Sequence, residues 1–353
     1  MLTYIVIAAI KSLVLIHVLL GAVAYTVWLE RKVVGRIQNR WGPTRVGPFG
    51  LLQPIADGVK FILKEDLTPP YVYKPLFILA PFLAVVMALT SIAVIPLGGQ
   101  LPLGRWSTGL QITSTADGTG DINIALLILL GVTSIAVYGI ALAGWSSNNK
   151  YSLLGSLRAS AQMISYELSL GLSLVGVLIL AGSLSLRTIV RHQIEYPKFL
   201  GFLPHWYIWP QLIGFFIYLI SAYAETNRIP FDLPEAETEL VAGYHTEYSA
   251  MKFAMFFMAE YTNMFTVACV ATLLFFGGWH GPELPFLPPL LQALLPLFWF
   301  ALKVFVFIFV YIWVRGTLPR FRYDQLMAFG WKFLLPLAIA NIIITSFIVA
   351  WQS

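Results

Sequence analysis

Eight stretches of this chain, most of them close to twenty residues long, carry almost nothing but apolar side chains. A bilayer core about 30 Å thick takes roughly 20 helical residues to cross. Backbone groups inside it must be satisfied within the segment, so such runs fold as spanning α-helices. They cover Tyr4–Leu29, Pro75–Pro96, Ile122–Trp145, Ala159–Gly182, Ile208–Tyr223, Met251–Gly277, Leu297–Arg315 and Phe333–Trp351. The fifth is short, and the proline-broken stretch Leu287–Leu297 reads as the outer approach to the seventh. Only 11% of the residues are charged, against about 25% in a soluble domain. The sequence predicts an all-α integral membrane protein, one polytopic domain over residues 1–353. The first run passes straight into Glu30-Arg-Lys32, which marks a retained helix rather than a cleaved signal.

Lysine and arginine set the orientation. The loops after the first, third, fifth and seventh spans hold 16 of them, and the opposite loops hold four. By the positive-inside rule the first set faces the cytoplasm and both termini lie outside. The single Cys269 excludes a disulfide framework, and five scattered histidines offer no ligand spacing for haem or zinc. The net charge of +5 is distributed for a membrane, not for nucleic acid.

Two inner loops carry more chemistry than a connection needs. The stretch Ala224-Glu-Thr-Asn-Arg-Ile-Pro-Phe-Asp-Leu-Pro-Glu-Ala-Glu-Thr-Glu-Leu-Val-Ala-Gly243 packs Glu225, Asp232, Glu235, Glu237 and Glu239 around a single Arg228. Asp232 stands where a helix cap would lie, Pro234 in the first turn and Gly243 at the stop. That helix would put Glu235 and Glu239 on one face. Acidic residues also simply favour a helix N-terminus, which accounts for Glu235 and Glu237 better than for Glu239. The first inner loop, Arg31 to Lys74, makes turns at Gly-Pro pairs and then gives Leu51–Glu65. There Asp57, Lys60 and Lys64 recur on one face and Ile55, Val59 and Ile62 on another, predicting an amphipathic helix at the interface.

Ionisable groups inside spans cost about 2.5–3.5 kcal/mol each at the centre, so those present need a reason. Glu167 and Glu260 each lie about 12 Å along a helix that starts at the inner face, one layer above the acidic loop. Lys303 sits in the seventh span and Lys11 in the outer half of the first, from where it can snorkel. A Glu260–Lys303 pair would staple two helices. Alternatively, the carboxyls form a hydrated acidic track, suited to proton or cation handling or to charge redistribution when something binds nearby.

Five stretches together resemble the H-subunit family of respiratory complex I, the proton-pumping NADH:quinone oxidoreductase. They are Leu29-Glu-Arg-Lys32, Gly47-Pro-Phe-Gly-Leu-Leu-Gln-Pro-Ile-Ala-Asp-Gly-Val-Lys60, the acidic loop above, Ala259-Glu-Tyr-Thr-Asn263 and Pro319-Arg-Phe-Arg-Tyr-Asp-Gln-Leu-Met327. The resemblance implies a quinone chamber, with Arg36, Arg40, Asp57, Lys60, Phe61, Arg228, Phe231 and Phe257 as candidates to line it. It implies an acidic path through Glu167, Glu225, Asp232, Glu235, Glu237, Glu239, Glu247 and Glu260, with Lys303 and Arg315 as cationic counterparts. NADH, flavin mononucleotide and iron–sulfur clusters would belong to partner subunits, with ubiquinone or menaquinone as substrate and no metal in this chain. Expected partners are the peripheral-arm quinone-site and terminal iron–sulfur subunits, other membrane-arm subunits and lipid. The long outer loops and the lack of a presequence favour the bacterial inner membrane over the mitochondrial one. Two other readings stay open on residues alone: the anchor subunit of a related membrane-bound hydrogenase, and a free-standing proton or cation transporter. A purely structural anchor fits the buried glutamates poorly.

Overall fold

The computed structural model describes residues 2–98, 100–103, 106–109, 122–195, 204–232, 241–282 and 288–352. Among the described residues, seven helices are long and apolar enough to cross a membrane, and a shorter apolar helix accompanies them. In chain order the helices are α1 (Leu2–Ile37), α2 (Gln53–Leu63), α3 (Lys74–Ala93), α4 (Ala125–Ser146), α5 (Lys150–Ala181) and α6 (Leu186–Glu195). They continue with α7 (Leu212–Glu225), α8 (Ala250–Phe275), α9 (Pro289–Thr317), α10 (Tyr323–Phe329) and α11 (Leu335–Gln352). A π-helical turn, Gly330–Leu334, joins α10 to α11, so the two form one continuous rod. Outside the helices, a hairpin of β1 (Gln100–Leu103) and β2 (Trp106–Gly109) pairs Gln100 with Gly109 and Leu103 with Trp106.

The helices differ from the hydropathy reading at their ends, for local reasons. Hydropathy marks where a helix enters lipid, not where its hydrogen bonds stop, so α5 starts at Lys150, where the Asn149 side chain accepts from the Tyr151 amide. The fifth span shrinks to 14 residues because the chain around Pro210 is a turn before α7 begins. The proline-broken outer stretch is helical instead of an approach: α9 starts at Pro289 and runs through Pro296. In the acidic loop, Leu233–Leu240 lie outside the described residues, and with them Glu235, Glu237 and Glu239. Gly243 opens a 3₁₀ turn to His245, at φ 54°, and the helix it was expected to close lies outside the described residues.

The central element is α8. From Ala268 to Phe275 every side chain is buried, and it packs on α3, α7 and α9. Close approach elsewhere relies on small residues, as expected where lipid competes with side chains for the same apolar contacts. Gly139 of α4 sits against Ala80 and Ala84 of α3, and Gly144 lies against Ser152 and Ser156 of α5. Polar groups inside the membrane find one another. Gln211 donates to Thr345 at 2.7 Å and accepts from Asn341 at 2.8 Å, fastening α11 to the start of α7.

The first inner loop folds back beneath α1. A Cβ on Gly42 would meet the Lys32 backbone at 2.9 Å, and Gly50 has φ 77° with the Pro43 carbonyl in contact. Both positions require glycine. The doubling-back delivers α2 alongside α1 and α8. The expected amphipathic helix is therefore present, with Ile55, Val59, Ile62 and Leu63 exposed and none of its residues fully buried.

Candidate functional site

A cavity of about 350 Å³ opens between α1, α2 and the first turns of α8. Leu20, Val23, Ala24 and Val27 form one wall, Phe61 and Ile62 a second, and Phe253, Phe257 and Tyr261 a third. Phe253, Phe257 and Tyr261 recur at four-residue spacing, so their rings follow one another down one face of α8, tilted, with centroids 5.4 and 5.6 Å apart. Arg31, Gln53 and Asp57 give its lining charged and amide groups. Arg31 pairs with Asp57 at 2.8 Å, and Gln53 donates to the other oxygen of Asp57 at 2.9 Å.

The aromatic row ends in a buried ionic cluster. The Tyr261 hydroxyl donates to Glu30 at 2.8 Å, and the Arg228 guanidinium lies 4.1 Å above the Tyr261 ring. Arg228 forms an ion pair with Glu260, its Nε 2.7 Å from the carboxylate, and approaches Glu30 at 3.8 Å, while Arg315 also pairs with Glu30. The cluster holds two carboxylates and two guanidiniums drawn from α1, the α7–α8 connection, α8 and α9, so it is formally neutral. Glu30, Arg228 and Glu260 each expose about a tenth of the side chain or less.

The connection carrying Arg228 is held by a side chain that looks unremarkable in sequence. Gln162 of α5 donates to the carbonyls of Ala224 at 2.9 Å and Phe231 at 2.8 Å. Phe231 wedges between Tyr166 and Phe321, and the Phe321 amide donates to Pro230. Asp232 then pairs with Arg320 at 3.1 Å.

Beyond Glu260 lies a second, polar niche of about 30 Å³, bordered by Glu225, Thr226, Asn227, Glu260 and Asn263. Glu225 is also close enough to Glu167 for the two carboxyls to interact electrostatically. Glu167 itself takes a hydrogen bond from Ser134 of α4. His245 lies between the two cavities, its ring caged by Tyr244, Phe253 and Phe256 at 3.9, 5.2 and 5.5 Å. It lies outside the spans, and burial pushes it down to about 3, so it stays neutral.

Of the residues expected in the chamber, Asp57, Phe61 and Phe257 line the larger cavity. Arg228 and Phe231 lie beyond its Tyr261 end. Arg36 packs over Trp41 at 5.1 Å, Arg40 donates to Gln38, and Lys60 is exposed at the end of α2. Among the acidic residues, Glu225 and Glu260 border the same niche, whereas Glu247 accepts from Asn149 at 2.7 Å beside the α4–α5 turn. Lys303 needs correction. It does not pair with Glu260, whose partner is Arg228. Its ammonium donates to the carbonyls of Phe276, Gly278 and His280 at 2.7, 2.9 and 2.7 Å, capping the far end of α8 about 24 Å from Glu260. Glu30 and Tyr261 were not expected at the site. Their only sequence signal is membership of the short motifs Leu29–Lys32 and Ala259–Asn263.

The family model described as NADH dehydrogenase matches residues 10–346. The chain belongs to this family. It is 72% identical to a Koribacter versatilis protein named as the second H-type subunit of NADH-quinone oxidoreductase, across 98% of both chains. It is 51% identical to the corresponding NADH-quinone oxidoreductase protein of Thermomicrobium roseum, over 98% of this chain and 97% of that one. With the first such protein of Solibacter usitatus the identity is 50%, over 99% and 98%. Alignment over whole chains means that the residues forming both cavities fall within the shared region, not in an appended segment.

Proposed function

We propose that this chain is the membrane subunit that shapes the quinone chamber of a proton-translocating NADH:quinone oxidoreductase and links that chamber to an acidic path. The observation that carries the reading is the continuity from the α1–α2–α8 cavity through Tyr261 to the Glu30–Arg228–Glu260–Arg315 cluster. A volume of about 350 Å³, apolar walls and a few polar groups suit an aromatic headgroup followed by an isoprenoid chain. The names of the relatives favour this reading over a hydrogenase anchor or a free-standing transporter.

Quinone reduction consumes two electrons and two protons. The electrons come from NADH through flavin and iron–sulfur clusters on partner subunits. This chain's part is to receive the ring, exclude water with a row of aromatic residues and present titratable groups nearby. Negative charge arriving beside Tyr261 acts on a cluster whose carboxylates and guanidiniums balance, and any re-pairing of Arg228 between Glu30 and Glu260 passes that charge toward Glu225. The excess of lysine and arginine on the α2 side supports an inner-side location, the cytoplasm or an equivalent compartment, where the peripheral arm would dock over the first loop and the acidic connection.

The test is isolation of the chain from its native membrane in mild detergent, followed by assay of NADH oxidation with a quinone acceptor. Flavin and iron–sulfur proteins that travel with the chain, together with quinone-dependent activity, are the expected result. A chain that elutes alone, or that conducts protons by itself in liposomes, would overturn the assignment.

A further inference from the structure

A third cavity, of about 480 Å³, lies between α1, α8 and α9. It is not an extension of the one beside α2. Leu15, Leu19, Ala22, Thr26 and Leu29 face it at helical spacing, whereas Leu20, Ala24, Val27 and Arg31 face the other cavity from the opposite side of α1. Its back wall of Phe300, Val304 and Ile308 is buried, while Val18 and Phe305 are exposed at the rim, so it opens sideways into lipid. No lining residue is charged, and the Thr26 hydroxyl already donates to the Ala22 carbonyl at 2.8 Å. The recess is long and thin. From Leu15 to Leu29 it follows about 21 Å of helix, which gives a mean cross-section of about 23 Å². An α-helix with its side chains is about 10–12 Å across and needs several times that area. One hydrocarbon chain fits, and a partner helix does not.

A charge stands at one end of this recess. Lys11, partly exposed, lies one helical turn before Leu15 on the same face of α1. Helical side chains lean toward the N-terminus, so the ammonium leads away from the cavity toward the start of α1, about 13 Å further on. We propose that the cavity is a phospholipid site, with one acyl chain between α1 and α9 and an anionic headgroup at Lys11. A lysine snorkelling from the lip of an apolar recess reaches the phosphate layer where a chain in that recess begins. The chain supplies contacts to Phe300, Val304 and Ile308 that an empty recess forfeits. It also braces α1 against α9 directly beside Glu30, the residue after Leu29 and the partner of Arg315. The site stands apart from the quinone reading, because it lies on the other face of α1 and takes a different ligand.

The test uses the intact complex in phosphatidylcholine nanodiscs doped with phosphatidylglycerol that carries a photoreactive diazirine in its acyl chain. Adducts are mapped by peptide mass spectrometry, and labelling of the remaining transmembrane peptides serves as the bulk-lipid control. Residues 15–29 and 297–308 should be labelled above that control. Ala22→Phe and, separately, Ala301→Phe each put a ring into the cavity, and size-exclusion chromatography shows that the variant complex has assembled. Shutting out two methylene groups is worth about tenfold in occupancy, so cavity adducts should fall by about that factor while the control is unchanged. The phosphatidylglycerol probe should label the wild-type cavity about fivefold more than a phosphatidylcholine probe, the worth of one lysine at an anionic headgroup. Lys11→Gln should bring the two probes level. Cavity labelling no higher than the control, or unchanged in both phenylalanine variants, would overturn the site. A K11Q complex that keeps the full preference, or a wild type without one, would overturn the headgroup contact. Cross-links from the cavity residues to a helix of another subunit would replace the lipid with a protein partner.

Discussion

Arg228→Gln should destabilise the chain more than Glu260→Gln, and the double substitution should be milder than either. Arg228 lies 2.7 Å from Glu260 and 3.8 Å from Glu30. With an effective dielectric of about 20, the gross attractions are about 6 and 4 kcal/mol before desolvation is charged against them. Removing Arg228 forfeits both and takes the guanidinium away from the Glu260 carboxylate, while Arg315 stays engaged by Glu30. Breaking a buried pair from one side costs about 3–5 kcal/mol, so R228Q belongs in that range. Removing Glu260 leaves Arg228 with Glu30, and the loss should be nearer 2 kcal/mol, or about 2 below the R228Q cost. The double variant restores neutrality and costs only the cation–π contact with Tyr261 and some packing, about 1 kcal/mol. Thermal unfolding of the purified complex in mild detergent, followed by intrinsic fluorescence, reads all three. The cycle should return a coupling of at least about 2 kcal/mol. Additive single losses, or E260Q worse than R228Q, would refute the pairing.

Lys303→Met removes three charge-assisted bonds from the end of α8 and should cost about 2–4 kcal/mol in thermal stability. The protons moved per NADH should not change, because Lys303 lies far from the carboxyls; an altered ratio would return it to the coupling path. Gly144→Ala drives a Cβ into Ser156 and the Ser152 carbonyl, and should lower stability by about 1–3 kcal/mol or more, read as loss of assembled complex. Burial holds His245 down to about 3, so the unfolded chain binds a proton below about 6.5 while the folded chain does not. Stability is then full above pH 6.5 and falls by about 1.4 kcal/mol per unit as pH drops toward 3. His245→Gln should flatten that acid-side slope in unfolding experiments; an unchanged slope would mean that other groups dominate it.

Hydropathy alone determined the class of this protein, because crossing lipid is a requirement each segment meets by itself, and helical spacing alone marked α2. The motif around Asp57 and Phe61 likewise marked one wall of the cavity, since an eleven-residue amphipathic helix displays its faces without help from the rest of the chain. Partnership was a different matter. Glu30 reads in sequence as the polar end of a span, and only the rotation of α1 against α8 and α9 brings it to Tyr261, Arg228 and Arg315. Lys303 and Glu260 invite pairing as the charges of two neighbouring spans, yet they meet different ends of α8 because the helix is about 39 Å long. Gln162 carries no signal at all, although it anchors the connection that presents Arg228. A side chain's tolerance of the membrane is a local property legible from composition; which group neutralises it depends on helix depth and rotation, and those are settled only when the bundle packs.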